Sequence, residues 1–238
     1  VSVTPDASAQ IFVTPLSQRL FSLFGTLLVG AVSLGMIGLA VVLIRHSTIG
    51  WFVALVGIFM AALTGYAGRD LAGRWGLRIA LGSDAVTLDL PSGRSLIHRP
   101  KTQHLTIPYA DIAAVETRLE AYRTLGMAMM QRAYVLRRKS GETVFLFEDR
   151  ALATGFQSSM FREIAGALVA RAHVNLDDHG MVEGGGGVLG VWGTRAEDWS
   201  APSLPLAQQL RLWRHAAATG SLAIAMLLII TTLMAAKP

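Results

Sequence analysis

LFSLFGTLLVGAVSLGMIGLAVVLI (Leu20–Ile44) and IGWFVALVGIFMAALTGYAG (Ile49–Gly68), separated only by Arg45-His46-Ser47-Thr48, decide the fold of this chain. Neither run contains a charged residue. A membrane-spanning helix needs about 20 apolar residues at about 1.5 Å rise each, and both runs satisfy that. The short break allows only a tight turn, so the two helices are expected as antiparallel neighbours. A buried hairpin in a soluble core is the competing reading, but core helices of that kind usually carry polar groups on one face.

The rest of the composition agrees with a membrane protein carrying one polar domain. Of 238 residues, 52% are hydrophobic and only 16% charged, with a mean hydropathy of +0.46. Cysteine is absent, which excludes disulfides, thiolate metal sites and a cysteine nucleophile. The net charge of +5 is not gathered into a long basic run, and basic residues do not alternate with aromatics. That pattern points to membrane topology and anionic lipid, not nucleic acid. Residues 1–19 read as a polar arm. They lack the basic start and cleavage site of a secretory signal, so the first helix is expected to be retained.

Orientation follows from the arginines. Arg69, Arg74 and Arg78 follow the second helix and Arg19 precedes the first, whereas the opposite loop offers Arg45 alone. The positive-inside rule places the amino terminus and the central domain in the cytoplasm. Trp51 and Trp75 mark the two ends of the second helix. Small residues recur along that helix at Gly50, Ala54, Gly57, Ala61 and Gly65. Such stripes let helices approach closely in lipid, either sealing this hairpin or receiving another protein through Gly57, Ala61 and Gly65. No acidic residue or lysine interrupts either run, which argues against an ion path or proton relay.

From Leu77 the hydrophobic period changes to two. Leu77, Ile79 and Leu81 alternate, then Val86, Leu88 and Leu90, with Gly82-Ser83-Asp84 between them. Pro91-Ser92-Gly93 turns toward Ser95-Leu96-Ile97, and Leu105–Ile107 forms a further short strand. In the next run Val115, Thr117 and Leu119 face one way and Glu116, Arg118 and Glu120 the other. A Met-rich connection (Met127, Met129, Met130) leads to Ala133–Arg138, a turn at Lys139-Ser140-Gly141-Glu142, and Thr143–Phe147. Glu148-Asp149-Arg150 reads as the turn that ends this strand. Phe156, Met160, Ile164 and Leu168 then line one face of a helix ending near Ala172. Short strands with frequent turns predict a small antiparallel barrel or sandwich capped by one helix.

Within this domain, IPYADIAAVETR (Ile107–Arg118) resembles the Ile-Pro-Tyr-x-Asp-Ile core of bacterial pleckstrin-homology-like domains, and YVLRRKSGETVFLFE with the following helix fits their last strands and cap. The resemblance covers residues 76–172. It implies that Ile112 and Val115 are core, that Pro108-Tyr109 marks the start of a strand, and that the domain is a non-catalytic module. Some membrane-embedded members, such as three-helix photosynthetic-complex assembly proteins, support the biogenesis of larger complexes. Eukaryotic pleckstrin-homology domains bind phosphoinositides through a basic first hairpin loop, whereas the matching Gly82-Ser83-Asp84 here is acidic. Arg137, Arg138 and Lys139, with Arg132, could still meet anionic headgroups at about 1 kcal/mol each, or simply solvate a strand edge.

No constellation for catalysis, cofactor or metal emerges. Gly185-x-Gly187-x-x-Gly190 matches a dinucleotide fingerprint only formally, without the strand, helix or acidic partner that it needs. Asp177-Asp178-His179 reads as a polar turn, and His98 and His104 lack ligand spacing. Residues 173–205 read as a Gly-rich linker. Its apolar Val188, Leu189, Val191 and Trp192, with Trp199 nearby, dock either on membrane or partner or back on the chain's own domain. Ser203 and Pro205 are expected to start a helix. Leu206, Leu210 and Trp213 would form its apolar face and Arg211, Arg214 and His215 an interfacial cationic face. Ala216–Ala236 is a third uncharged run, which would take residues 206–236 across the membrane and the tail to the periplasm. The sequence thus predicts an α+β membrane protein with three spans and a cytoplasmic domain at 76–172. Its expected partners are an integral membrane complex and membrane lipids. The expected role is an accessory or assembly subunit, with anionic-headgroup sensing (Arg137, Arg138, Lys139, Arg211, Trp213, Arg214) as the alternative.

Overall fold

The computed structural model describes residues 10–91, 102–124, 127–152, 155–156, 159–183 and 199–235. The expected strand Ser95–Ile97, the Gly185–Gly190 motif and the docking candidates Val188, Leu189 and Trp192 lie outside them.

The protein is α+β, with two helices long and apolar enough to cross a membrane. These are α1 (Leu16–Leu43) and α2 (Ile49–Gly76), each of 28 residues, or about 42 Å of rise. Both therefore begin or end beyond the uncharged runs, α1 at Leu16 rather than Leu20 and α2 at Gly76 rather than Gly68. Their antiparallel packing is specified by small groups. Gly50 is buried where the chain reverses, and a Cβ there would run into the Ile44 backbone. At Gly57 a Cβ would lie 2.9 Å from Ile37 Cγ1, and the Ser33 hydroxyl donates to the Gly57 carbonyl at 3.1 Å. Most other large side chains of the hairpin, among them Phe21, Phe24, Phe52 and Ile58, are exposed.

Sheet A has the order β1 (Gln10–Val13), β2 (Arg78–Leu81), β3 (Ala85–Leu90), β4 (Gln103–Pro108), all antiparallel. Strand β1 immediately precedes α1, and β2 immediately follows α2. Their pairing, Gln10↔Leu81 through Val13↔Arg78, closes the hairpin at its base. At the same end the Arg19 guanidinium lies 5.4 Å from the centre of the Trp75 ring, a cation–π distance.

Sheet B has the order β8 (Gly155–Phe156), β7 (Thr143–Leu152), β6 (Met127–Arg138), β5 (Ile112–Thr124), β9 (Leu176–Glu183). Ile79, Leu81, Val86, Leu88 and Ile107 of sheet A share one core with Val115, Tyr134, Leu136, Leu146 and Phe147 of sheet B. The helix α3 (Ser159–Ala172) adds Ile164, Ala165 and Leu168 to it, all fully buried. Among the described residues the arrangement is two sheets around a shared core, not a closed barrel.

Several local features differ from the sequence reading. The arm contains β1, because Phe12 enters the core between the exposed Ile11 and Val13. The Met-rich connection belongs to β6, which pairs with β5 out to Thr124↔Met127. Strand β7 runs on through Glu148-Asp149-Arg150 to Leu152, held by β6. Asp177-Asp178-His179 is not a turn but part of β9, which pairs parallel with β5, so the sheet is not purely antiparallel. Residues 206–235 form one 30-residue helix, α4. Its sheet-facing residues are Leu212, Trp213 and Ala216, which meet Leu119, Ala121, Met130 and Met181. Of the expected apolar face, Trp213 turns to the sheet while Leu206 and Leu210 remain 70% and 48% exposed.

Candidate functional site

The most unusual chemistry of the described residues lies on β5. Alternation puts Glu116, Arg118, Glu120 and Tyr122 on one face of the strand. In place of solvating that face, Glu116, Arg118 and Glu120 are 3%, 1% and 0% exposed. Burying charge is tolerable only when each group is paired and hydrogen-bonded, and here the pairing is dense. Glu120 Oε1 accepts from Arg118 Nε at 3.0 Å and lies 2.9 Å from Arg118 Nη2. Its Oε2 accepts from the Tyr122 hydroxyl at 2.7 Å and from Gln131 Nε2 at 3.0 Å. Gln131 also donates to Glu148 Oε2 at 3.0 Å.

Glu116 takes the Arg137 guanidinium through Nε and Nη2, the latter at 3.0 Å. That hydrogen bond pushes the Arg137 pKa still higher, against a smaller opposing effect of burial. His179 Nε2 lies 3.3 Å from Glu116 Oε2. It reaches that position through an irregularity in the β5–β9 register, next to Gly180 with its positive φ of 72°. Trp199 roofs the face, packing on Ala133, Val135 and Phe145. The Arg118 guanidinium sits 4.0 Å from its ring centre, and His179 meets it edge-on at 6.4 Å. The network ties β5, β6, β7 and β9 to the segment leading into α4.

That segment is held next to β9. Ser203 Oγ accepts from the Met181 amide at 3.1 Å, and the Leu204 amide donates to the Met181 carbonyl at 2.7 Å. Ser203 thus fastens β9 instead of capping α4. A Cβ at Gly180 would collide with it.

The described residues among those expected to bind partner or lipid stand in different settings. Gly57 is enclosed by the hairpin, whereas Ala61 and Gly65 are exposed, with nothing within 4 Å of a Cβ at Gly65. Arg137 is held by Glu116. Arg138 reaches Glu142 at 2.6 Å and lies 3.8 Å from Asp111, and Arg132 reaches Asp178 at 3.1 Å. Lys139, Arg211 and Arg214 are exposed, and Trp213 is half-buried against the sheet. Among the described residues no three His, Asp or Glu are gathered as a metal site would require. The signal for the buried network was the opposite-sign alternation Glu-x-Arg-x-Glu, legible as chemistry but not as burial.

Comparison of the chain with protein-family models, curated proteins and solved structures finds no match.

Proposed function

We propose that this protein is a non-catalytic accessory or assembly subunit of a larger bacterial inner-membrane complex. Its polar domain is a pleckstrin-homology-like module on the cytoplasmic side, and α4 is a third span whose tail reaches the periplasm. The observation that carries the proposal is the direct splice of the hairpin into sheet A. With β1 paired to β2 across the base of α1 and α2, a protein bound to the helices is rigidly coupled to the domain, as a scaffold needs. The dense pairing of the charges on β5 favours a bracing role for them. Ala61 and Gly65 offer the helices a smooth, close-approach face.

Because Gly57 also seals the hairpin, the discriminating variant is Ala61→Leu with Gly65→Leu. Extracted from native membrane in mild detergent, it should lose its membrane partner while inserting normally. Unchanged co-purification would refute the partner face. Headgroup sensing is the second reading. The carboxylates on Arg137 and Arg138 move its cationic surface to Lys139, Arg211 and Arg214, and it predicts salt-sensitive binding to anionic vesicles.

A further inference from the structure

The outer face of sheet A changes character at its edge. Across the sheet the row nearest the hairpin is Val13, Arg78, Asp89, His104, and the next is Ile11, Ala80, Thr87, Thr106. From β2 onward these rows are mainly polar, with Asp89 paired to His104 and the Thr87 and Thr106 hydroxyls 3.4 Å apart. The edge strand breaks the pattern, for Ile11 and Val13 are 48% and 42% exposed. Exposed apolar residues on an edge strand are a liability in water, where charges are the usual protection.

Only Thr14 and Pro15 separate β1 from α1. The exposed apolar residues continue through Leu16 (63%) and Leu20 (50%) into the helix surface. Cations and an aromatic flank this ramp: Arg19 against Trp75, and Arg78 directly opposite Val13. Apolar groups bordered by arginine and tryptophan have the composition of a membrane–water boundary.

We propose that β1 lies along the bilayer surface, with Ile11 and Val13 at the boundary between headgroups and acyl chains and Arg78 at the phosphates. The domain then rests on the membrane through one sheet edge. The occupant is phospholipid of the bilayer that holds the hairpin, so the inference rests on the membrane reading of α1 and α2. A strand rising straight from the helix would leave the headgroup layer, since three residues span about 10 Å and that layer is only about 5–8 Å deep. Ile11 and Val13 thus stay at the boundary only with the strand leaning onto the surface.

Absence of cysteine makes single-site labelling direct. Ile11→Cys, Val13→Cys, Thr106→Cys and Leu34→Cys, each carrying an environment-sensitive fluorophore, would be reconstituted in phosphatidylglycerol/phosphatidylcholine vesicles. Quenching by shallow spin-labelled lipid would be compared with quenching by aqueous iodide. Labels at 11 and 13 should be quenched by the lipid and protected several-fold from iodide relative to 106. Iodide access at 11 and 13 equal to that at 106, with 34 quenched by lipid, overturns the inference and leaves the hairpin in the membrane. No lipid quenching at 34 would overturn the membrane reading itself. Protection at 11 and 13 without lipid quenching, rising with protein density, would assign the strand to a second copy instead.

Discussion

The guanidinium of Arg118 lies 4.0 Å from the centre of the Trp199 ring, although 81 positions separate the two in the chain. One side of the buried cation is neutralised by Glu120 and the other is covered by an aromatic face, a combination worth more than either contact at a wet surface. The contact also fixes where the chain re-enters the fold before α4.

Trp199→Ala should therefore cost about 3–5 kcal/mol, as for other buried tryptophans. Trp199→Phe, which keeps a ring over Arg118, should recover part of the loss. Thermal unfolding in mild detergent measures both.

The Arg118–Glu120 pair predicts strong non-additivity. Arg118→Met leaves Glu120 buried without its cation and should cost about 3–5 kcal/mol. Adding Glu120→Gln should restore much of that, because the amide can still accept from Tyr122 or Gln131. Additive losses in the double-mutant cycle would contradict the network.

The hairpin was legible because uncharged runs are local signals. The buried network was not, since Glu116, Arg118 and Glu120 look like a solvated strand face until Arg137, Gln131 and Trp199 arrive from other segments. Strand β1 was hidden for the same reason: four residues pair with Arg78–Leu81 only after both helices have passed between. Strand β9 opens with Asp177 and Asp178 right after Leu176, and aspartates are poor strand formers, held here by parallel pairing to the long β5. Ser203 carried a helix-start signal, but its hydroxyl serves Met181, a partner no local pattern reveals.

Within the hairpin, Gly57 and Gly65, two of the three glycines of the small-residue stripe, should behave oppositely. Gly57→Val forces apart α1 and α2 at Ile37 and should destabilise the hairpin strongly, while Ser33→Ala removes one interhelical hydrogen bond for about 0.6 kcal/mol. Gly65→Ala meets no neighbour and should be neutral or stabilising by about 0.5–1 kcal/mol. Reversible unfolding in mixed micelles ranks the three.

Tyr109 predicts an alkaline dependence. Its hydroxyl donates to the Gly82 carbonyl at 3.1 Å, and burial raises its pKa despite the opposing Arg171. The folded state holds the phenol proton more tightly than the unfolded state. Its contribution is complete below about pH 10, the unfolded value, and is lost as pH rises through the higher folded value. Tyr109→Phe should cost about 1 kcal/mol at neutral pH and flatten stability above pH ~10 relative to wild type. Identical alkaline slopes would contradict this.

The central claim is that the chain is part of a larger membrane assembly. The most direct measurement is the mass and composition of the particle released from native membrane by mild detergent. A discrete particle well above 25.5 kDa, containing another integral membrane protein in fixed ratio, is the predicted result. Recovery of this chain alone with bound lipid would contradict it.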